Sequence, residues 1–234
     1  MAIVRLVGGR LAWYPPSASA EPQWLDDDAA REHLRATLAQ RRIKVCFAVP
    51  GEDALLLMLS VTRDEKKHIS KSLPFMLEEQ VAADVDTLHF AYSPLQEDDF
   101  AVAITAKEKM AQWQLLLADF PGIQRWLPEP LLLPWQPDEW CLLLEGDSVI
   151  FRVGQCKGFT AEKELVEVLV QAMLSEVGPP ATVIVYGMDQ EVDTNMLPVE
   201  LRERVQWRRG NLSAAMLLSK TEEINLNFLC GDFA

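Results

Sequence analysis

Between residues 66 and 81 the sequence runs Lys-Lys-His-Ile-Ser-Lys-Ser-Leu-Pro-Phe-Met-Leu-Glu-Glu-Gln-Val, an amphipathic pattern with a proline at its centre. Ile69, Leu73, Met76 or Leu77, and Gln80 or Val81 recur three or four apart, the spacing of one helix face. Pro74 has no N–H and its ring presses on the preceding turn, so the pattern predicts a kink or a fresh helix start there. A fresh start would set Glu78 and Glu79 near a helix N-terminus, where negative charge is favoured. Such a helix needs something apolar beneath it, and the pattern fits a helix packed on a sheet.

The chain around it alternates strands and helices. Residues 2–7 and 10–14 flank Gly8-Gly9, whose tolerance of positive φ suits a two-residue hairpin turn. Asp26-Asp27-Asp28 reads as the cap of a helix reaching Gln40, with Leu34 and Leu38 inward. No ligand partner is evident for these aspartates, so a solvated cap explains them better than a metal site. Residues 43–49 read as a buried strand stopped by Pro50-Gly51, and 54–61 as another. Strands over 87–92 and 100–105 enclose the acidic loop Glu97-Asp98-Asp99. Thr105 and Glu108 fit a capping box, opening a helix with Met110, Trp113, Leu117 and Phe120 on one side and Pro121-Gly122 at its end.

Residues 131–134 read as a short strand and 134–138 as a linker. A second hairpin joins 140–144 to 149–153 through Glu145-Gly146-Asp147. Thr160 is expected to cap a helix that turns Leu165, Val168, Leu169, Ala172 and Met173 inward and stops at Gly178-Pro179. A strand over 182–186 and helices over 197–204 and 212–218 follow, and the end reads as extended. Hairpins open both halves, which gives an α/β class with mixed sheets.

A formal charge of -13 argues against nucleic acid or an anionic membrane as the main partner, since both would repel it. The basic cluster Arg202, Arg204, Arg208 and Arg209 is a local exception. A solvated helix end accounts for it more simply than contact with anionic head groups. Cys46, Cys141, Cys156 and Cys230 make no Cys-x-x-Cys pair and read as reduced thiols. The N-terminus begins with a strand-like run, without the basic start and apolar core of a signal peptide. No segment reaches the roughly 18–20 apolar residues of a membrane span.

The run Leu73-Pro74-Phe75-Met76-Leu77-Glu78-Glu79-Gln80, then Asp84-Val85 and Leu88-His89-Phe90-Ala91, resembles the cytoplasmic domain of the type II secretion system protein L family. Val49-Pro50-Gly51-Glu52-Asp53, Asn225-Leu226 and Gly231-Asp232-Phe233-Ala234 resemble it too. The likeness covers almost the whole chain and is weakest over 12–42 and 188–219. It implies a degenerate actin-like ATPase fold, with RNase H-like domains at 1–50 plus 106–135 and at 136–234, and a small inserted α+β domain at 51–105. It also implies a membrane helix soon after residue 234, so the chain is expected to be the cytoplasmic part of a bitopic inner-membrane protein.

The resemblance further implies a scaffold that recruits the secretion ATPase of the GspE family through that enzyme's N-terminal domain, lies beside platform protein M of the GspM family, and forms a homodimer. The inserted domain is the expected docking face, with a partner-binding set of Leu73, Phe75, Glu78, Glu79, Asp84, Asp86, Glu97, Asp98 and Asp99. In that set Phe75 is the apolar anchor and the acids steer a basic surface. The competing reading puts Phe75 in the core and leaves the acids merely solvated.

No catalytic residue, metal site or cofactor is expected. His33, His68 and His89 stand apart without metal-ligand spacing, the first two as solvated side chains and His89 as a satisfied structural one. Gly-x-Ser-x-Gly, Walker-type and Gly-x-Gly-x-x-Gly loops are missing. Working actin-like ATPases hold nucleotide between two hairpins with acidic turns. Here Val7-Gly8-Gly9-Arg10 has no carboxylate to reach a metal, and Glu145-Gly146-Asp147 is sufficiently explained as a turn. Phosphoryl transfer needs a positioned metal, so half the apparatus is missing. An actin-like nucleotide-binding protein and a PilM-like adaptor of pilus assembly are the alternatives.

Overall fold

A computed structural model describes residues 1–16, 21–96, 98–188, 194–218 and 225–234. Gly8 and Gly9 take φ of 56° and 77°, the conformation a tight hairpin demands, and join β1 (Ala2–Val7) to β2 (Arg10–Tyr14) with Val7 opposite Arg10. A short β3 (Gln23–Trp24) extends β2. Asp27 caps α1 (Asp28–Gln40), its carboxylate accepting the Ala30 N–H at 3.0 Å, and the helix buries Ala30, Leu34 and Thr37. β4 (Val45–Val49) is buried throughout and parallel to β1. It begins two residues later than its apolar run suggests, because Ile43 lies outside the sheet and is 36% exposed.

Next come β5 (Leu55–Ser60), α2 (Arg63–Lys66), α3 (Ile69–Leu77), β6 (Leu88–Pro94) and β7 (Asp99–Ala106). The three strands form an antiparallel sheet in the order β5-β7-β6. α3 covers one face of it, packing Ile69, Leu73 and Leu77 with Phe100, Val102 and Ile104. Ala91, Ala101 and Ala103, on the other face, join the main core. α4 (Lys107–Leu116) follows, and β8 (Arg125–Pro128) lies parallel to β4. Met110, Trp113, Leu117 and Phe120 are buried as their spacing predicts.

The second half comprises β9 (Glu139–Glu145), β10 (Ser148–Gly154), β11 (Lys157–Glu162), α5 (Val166–Val177), β12 (Thr182–Gly187), α6 (Val199–Arg202), β13 (Val205–Arg209) and α7 (Leu212–Met216). Its sheet, β11-β10-β9-β12-β13, repeats the order of the first, β3-β2-β1-β4-β8. In each, an antiparallel meander is followed by two parallel strands. Cys141, Leu143, Ile150, Ile184 and Tyr186 pack into the same core as the first sheet, while Trp140, Leu142, Phe151 and Val185 face α5. A 3-10 turn, Glu129–Leu132, carries the chain between the two sheets. Arg152, only 4% exposed, grips this crossing by donating to the carbonyls of Leu131 (3.1 Å) and Leu133 (2.5 Å).

Several local expectations fail for physical reasons. Pro74 begins no helix: it sits inside α3, and the break falls earlier, at His68. No capping box forms at Thr105, because β7 runs through it, and Ala106 caps α4 without a side-chain bond. Residues 131 and 132 close a 3-10 turn and 133–134 follow it, the strand having already passed at β8. Thr160 lies within β11, not at a helix cap. α5 buries Val166, Val170 and Leu174, leaving Leu165 and Val168 53% and 70% exposed. The helix expected over 197–204 is only the single turn α6, after which β13 forms.

Residues 225–230 cross two sheets, and the end expected to be extended closes instead in a 3-10 turn, Gly231–Phe233. The Phe228 N–H donates to the Trp126 carbonyl at 3.0 Å, and Asn227 accepts from the Trp126 N–H at 2.8 Å while donating to the Gln124 carbonyl at 3.0 Å. His89 of β6 bonds the Phe228 carbonyl at 2.8 Å, and burial pushes its pKa down. It is the satisfied structural histidine anticipated from the sequence. Among the described residues no helix is long and apolar enough to cross a membrane.

Candidate partner-docking surface

Thr62 and Glu65 form the capping box that starts α2: the Thr62 N–H donates to the Glu65 carboxylate at 2.6 Å. The chain turns at Lys67 and His68, and α3 begins. Its inner stripe is fixed by Ile69, Leu73 and Leu77, which are 7%, 1% and 0% exposed. Leu73 is therefore core and unavailable to a partner. Phe75 lies between the two inner leucines in sequence but on the opposite side of the helix, and it is 72% exposed. The reading of Phe75 as core is thereby excluded.

Glu78 and Glu79 follow α3 in a 3-10 turn, Glu78–Gln80, and both are exposed. They stand at the carbonyl end of α3, where the helix dipole disfavours negative charge, opposite to the placement expected from a restart at Pro74. Asp84 caps the next 3-10 turn, Val85–Thr87, by accepting the Asp86 N–H at 2.9 Å. Glu78, Glu79, Asp84 and Asp86 thus cluster around the end of α3 and the start of β6. Asp98 and Asp99 sit past the far end of β6, about 20 Å away for a strand of this length. There Asp98 pairs with Lys66 at 2.7 Å and Asp99 accepts from the Ser60 hydroxyl at 2.5 Å. Glu97 lies outside the described residues. The predicted acidic set is two groups, not one.

The cleft between the two hairpins is the other place where chemistry could reside. Glu145, at the end of β9, is not merely a turn residue. It accepts from Arg5 of β1 at 2.5 Å, and Arg5 also donates to Glu129, with N–O distances of 2.7 and 2.9 Å. Arg5 and Glu129 are 5% and 3% exposed. Burial pushes the Glu129 carboxyl up to about 7, opposed by the Arg5 charge, while the two carboxylates hold Arg5 protonated. A nearby cavity of about 600 Å³ is lined by Glu52, Glu145, Asp147, Glu162, Lys163 and Glu164, among others. Its charge is mostly negative, which disfavours a phosphate ligand. Among the described residues no group of three or more His, Cys, Asp or Glu is arranged to hold a metal, and all four cysteines are free thiols. Sequence separations of 124 and 140 residues hide this arginine-centred pair from any local pattern.

Comparison with known proteins closes the question of kinship. The chain is 27% identical over 233 residues to the type II secretion system protein L of Pectobacterium carotovorum, covering 97% of this chain and 53% of that one. It is 30% identical over 156 residues to the protein of the same name from Dickeya chrysanthemi, covering 65% and 39%. The chain spans about half the length, or less, of these curated relatives. Among solved structures, the cytoplasmic domain of EpsL, an inner membrane component of the type II secretion system of Vibrio cholerae, superposes with a TM-score of 0.72 at 19% identity, covering 100% and 99% of the two chains. A chain of a PilM-PilN type IV pilus biogenesis complex gives 0.52 at 13% identity, covering 96% and 91%. Both likenesses are of fold, a mixed α/β actin-like architecture. The sequence profile of the type II secretion system protein L family matches residues 12–234, and the chain belongs to that family.

Proposed function

We propose that the chain is the cytoplasmic scaffold segment of the type II secretion inner-membrane platform and docks the secretion ATPase of the GspE family. The observation that carries the docking site is Phe75, 72% exposed on a helix whose Ile69, Leu73 and Leu77 are buried. An aromatic ring left in water beside Glu78 and Glu79 suits an interface anchor with a steering rim. Asp84 and Asp86 belong to the same rim; Asp98 and Asp99, already engaged at the far end, do not. The three sheets support a division into an inserted domain at 51–105 and two larger units, 1–50 with 106–135 and 136–234. The relatives carry the name of a secretion component, not of an enzyme. A scaffold also accords with Arg5 occupying the inter-hairpin acids. The greater length of the relatives leaves room for a membrane helix beyond residue 234, for contact with platform protein M and for a homodimer.

Calorimetry against the ATPase N-terminal domain tests the docking site. Phe75→Ala should weaken binding about tenfold or more, a loss of at least about 1.4 kcal/mol. Glu78→Lys with Glu79→Lys should act mainly by slowing association. Folded variants that bind as tightly as the parent would move docking elsewhere. Addition of Mg-ATP should leave the thermal midpoint unchanged, whereas a rise would favour the nucleotide-binding alternative.

A further inference from the structure

A sheet edge is a row of unpaired backbone donors and acceptors, which proteins blunt with charge, proline, a bulge or a covering segment. Most edges of this molecule are blunted in one of these ways. β3 is only two residues long. β8 carries the C-terminal segment, the Phe228 N–H donating to the Trp126 carbonyl. β11 lies against the 3-10 turns Gly51–Asp53 and Glu129–Leu132, and β13 ends in the exposed pair Arg208 and Arg209. On the outer side of β6, the Cys230 thiol donates to the Phe90 carbonyl at 3.7 Å.

β5 is different. It closes one side of the sheet β5-β7-β6, and its sequence, Leu-Leu-Leu-Met-Leu-Ser, has neither charge nor proline. Its register with β7 runs from Leu55 opposite Ile104 to Ser60 opposite Asp99 without a bulge. The Val61 N–H donates to the Asp98 carbonyl at 2.9 Å. Bonded pairs alternate along an antiparallel ladder, so Leu59, Leu57 and Leu55 are the residues that bond β7. The backbone N–H and C=O groups of Leu56, Met58 and Ser60 therefore point away from it, and among the described residues no backbone group bonds them. β11 comes against the start of the strand, where Leu56 is buried, which leaves Met58 and Ser60 as the open stretch. Met58 is 64% exposed there, an apolar side chain that packing within the chain does not explain.

We propose that β5 pairs with β5 of a second copy of this chain, antiparallel about a twofold axis at Leu59. Met58 of each copy then stands opposite Ser60 of the other, and the outward groups of both residues are satisfied reciprocally. Two three-stranded sheets become one of six strands. Charge selects this occupant: an uncharged strand offers nothing to a charged segment, and paired with itself it sets no like charges opposite one another. Closure selects it too. A twofold contact stops at two copies, and the C-terminal segment on β6 guards the far edges of the joined sheet against further growth. The inference deepens the homodimer reading above by giving it a surface, and it does not depend on docking at Phe75.

Sedimentation velocity of the full chain over a range of concentrations reads the association. Met58→Lys changes an exposed side chain, so it should leave the thermal midpoint in place while weakening the dimer about tenfold or more, since two lysines would flank the axis. Added salt should tighten the parent dimer, because two chains of charge -13 repel across an uncharged seam; an ion-paired interface would loosen instead. Air oxidation of Met58→Cys mixed with Ser60→Cys should yield a mixed disulfide in excess over either variant alone. A dimer that Met58→Lys leaves intact, or that salt loosens, overturns the β5 seam and leaves self-association to another surface. A parent that stays monomeric at every concentration overturns the seam and self-association of this segment together. A monomer that instead captures an uncharged leucine-rich peptide at this edge would assign β5 to a different protein, and so overturn the proposal as well.

Discussion

Replacing Arg5 with methionine asks what the buried ion pair contributes. Glu129 would remain 3% exposed, with the Gly51 N–H at 3.3 Å as its other donor among the described residues. Removing one partner of a buried pair costs about 3–5 kcal/mol, because the other charge stays desolvated. Protonation limits the damage here, since burial already raises the Glu129 carboxyl to about 7, and a neutral acid at pH 7 avoids most of the Born penalty. We therefore expect about 3 kcal/mol, a sizeable share of the 5–15 kcal/mol that holds a typical domain together. Adding Glu129→Gln removes the stranded group and should recover about 1–2 kcal/mol of the loss. Urea unfolding of the four proteins of this cycle, followed by tryptophan fluorescence at pH 7, measures both figures. A loss below about 1 kcal/mol in Arg5→Met, with no coupling to Glu129, would refute the reasoning.

Glu129 also predicts a pH dependence. Its folded pKa lies above its unfolded value, so between about 4.5 and 7 the folded protein holds a proton that the unfolded chain has released. Stability should fall as pH rises through that window, relative to Glu129→Gln, with a slope no steeper than about 1.4 kcal/mol per unit; a difference that stays flat or rises contradicts the assignment. The Thr105 hydroxyl is buried without a hydrogen-bond partner, so Thr105→Val should raise the urea midpoint, by about 1 kcal/mol in stability, and a lowered midpoint would mean that the hydroxyl is satisfied. Asn227→Ala removes the acceptor for the Trp126 N–H and the donor to the Gln124 carbonyl. It should cost about 1–3 kcal/mol and expose the Phe228 amide to hydrogen exchange, and unchanged protection would show the tail held by other contacts.

The parts of this fold that announce themselves in sequence are those whose conformation is decided locally. Gly8-Gly9 and Gly146 specify their hairpins because few other residues take positive φ cheaply. The inner stripe of α3 follows from spacing alone. Where two local patterns compete, sequence misleads. α5 carries apolar residues over more than half its circumference, and tertiary contact selected Val166, Val170 and Leu174 over the equally regular Leu165, Val168 and Ala172. Thr105 and Glu108 match a capping box, but the ladder of β7 claims Thr105 first. Edge strands β11 and β13 were missed because their half-exposed residues lack clean alternation. For the proposed docking site, the displacement of Phe75 from the inner stripe of α3 was legible from spacing, although the sequence left its core placement open. The division of its acids into two groups was not, since it depends on which end of β6 each turn occupies.

The crossing at Glu129–Leu132 has a mechanical consequence. One buried arginine from each sheet holds it, Arg5 through the Glu129 carboxylate and Arg152 through the carbonyls on either side of Leu132. A hinge needs a stretch of backbone free to change its torsions, and this one is pinned from both directions. A displacement imposed on one half of the molecule should therefore reach the other with little slack, the two halves turning together as one stiff lever.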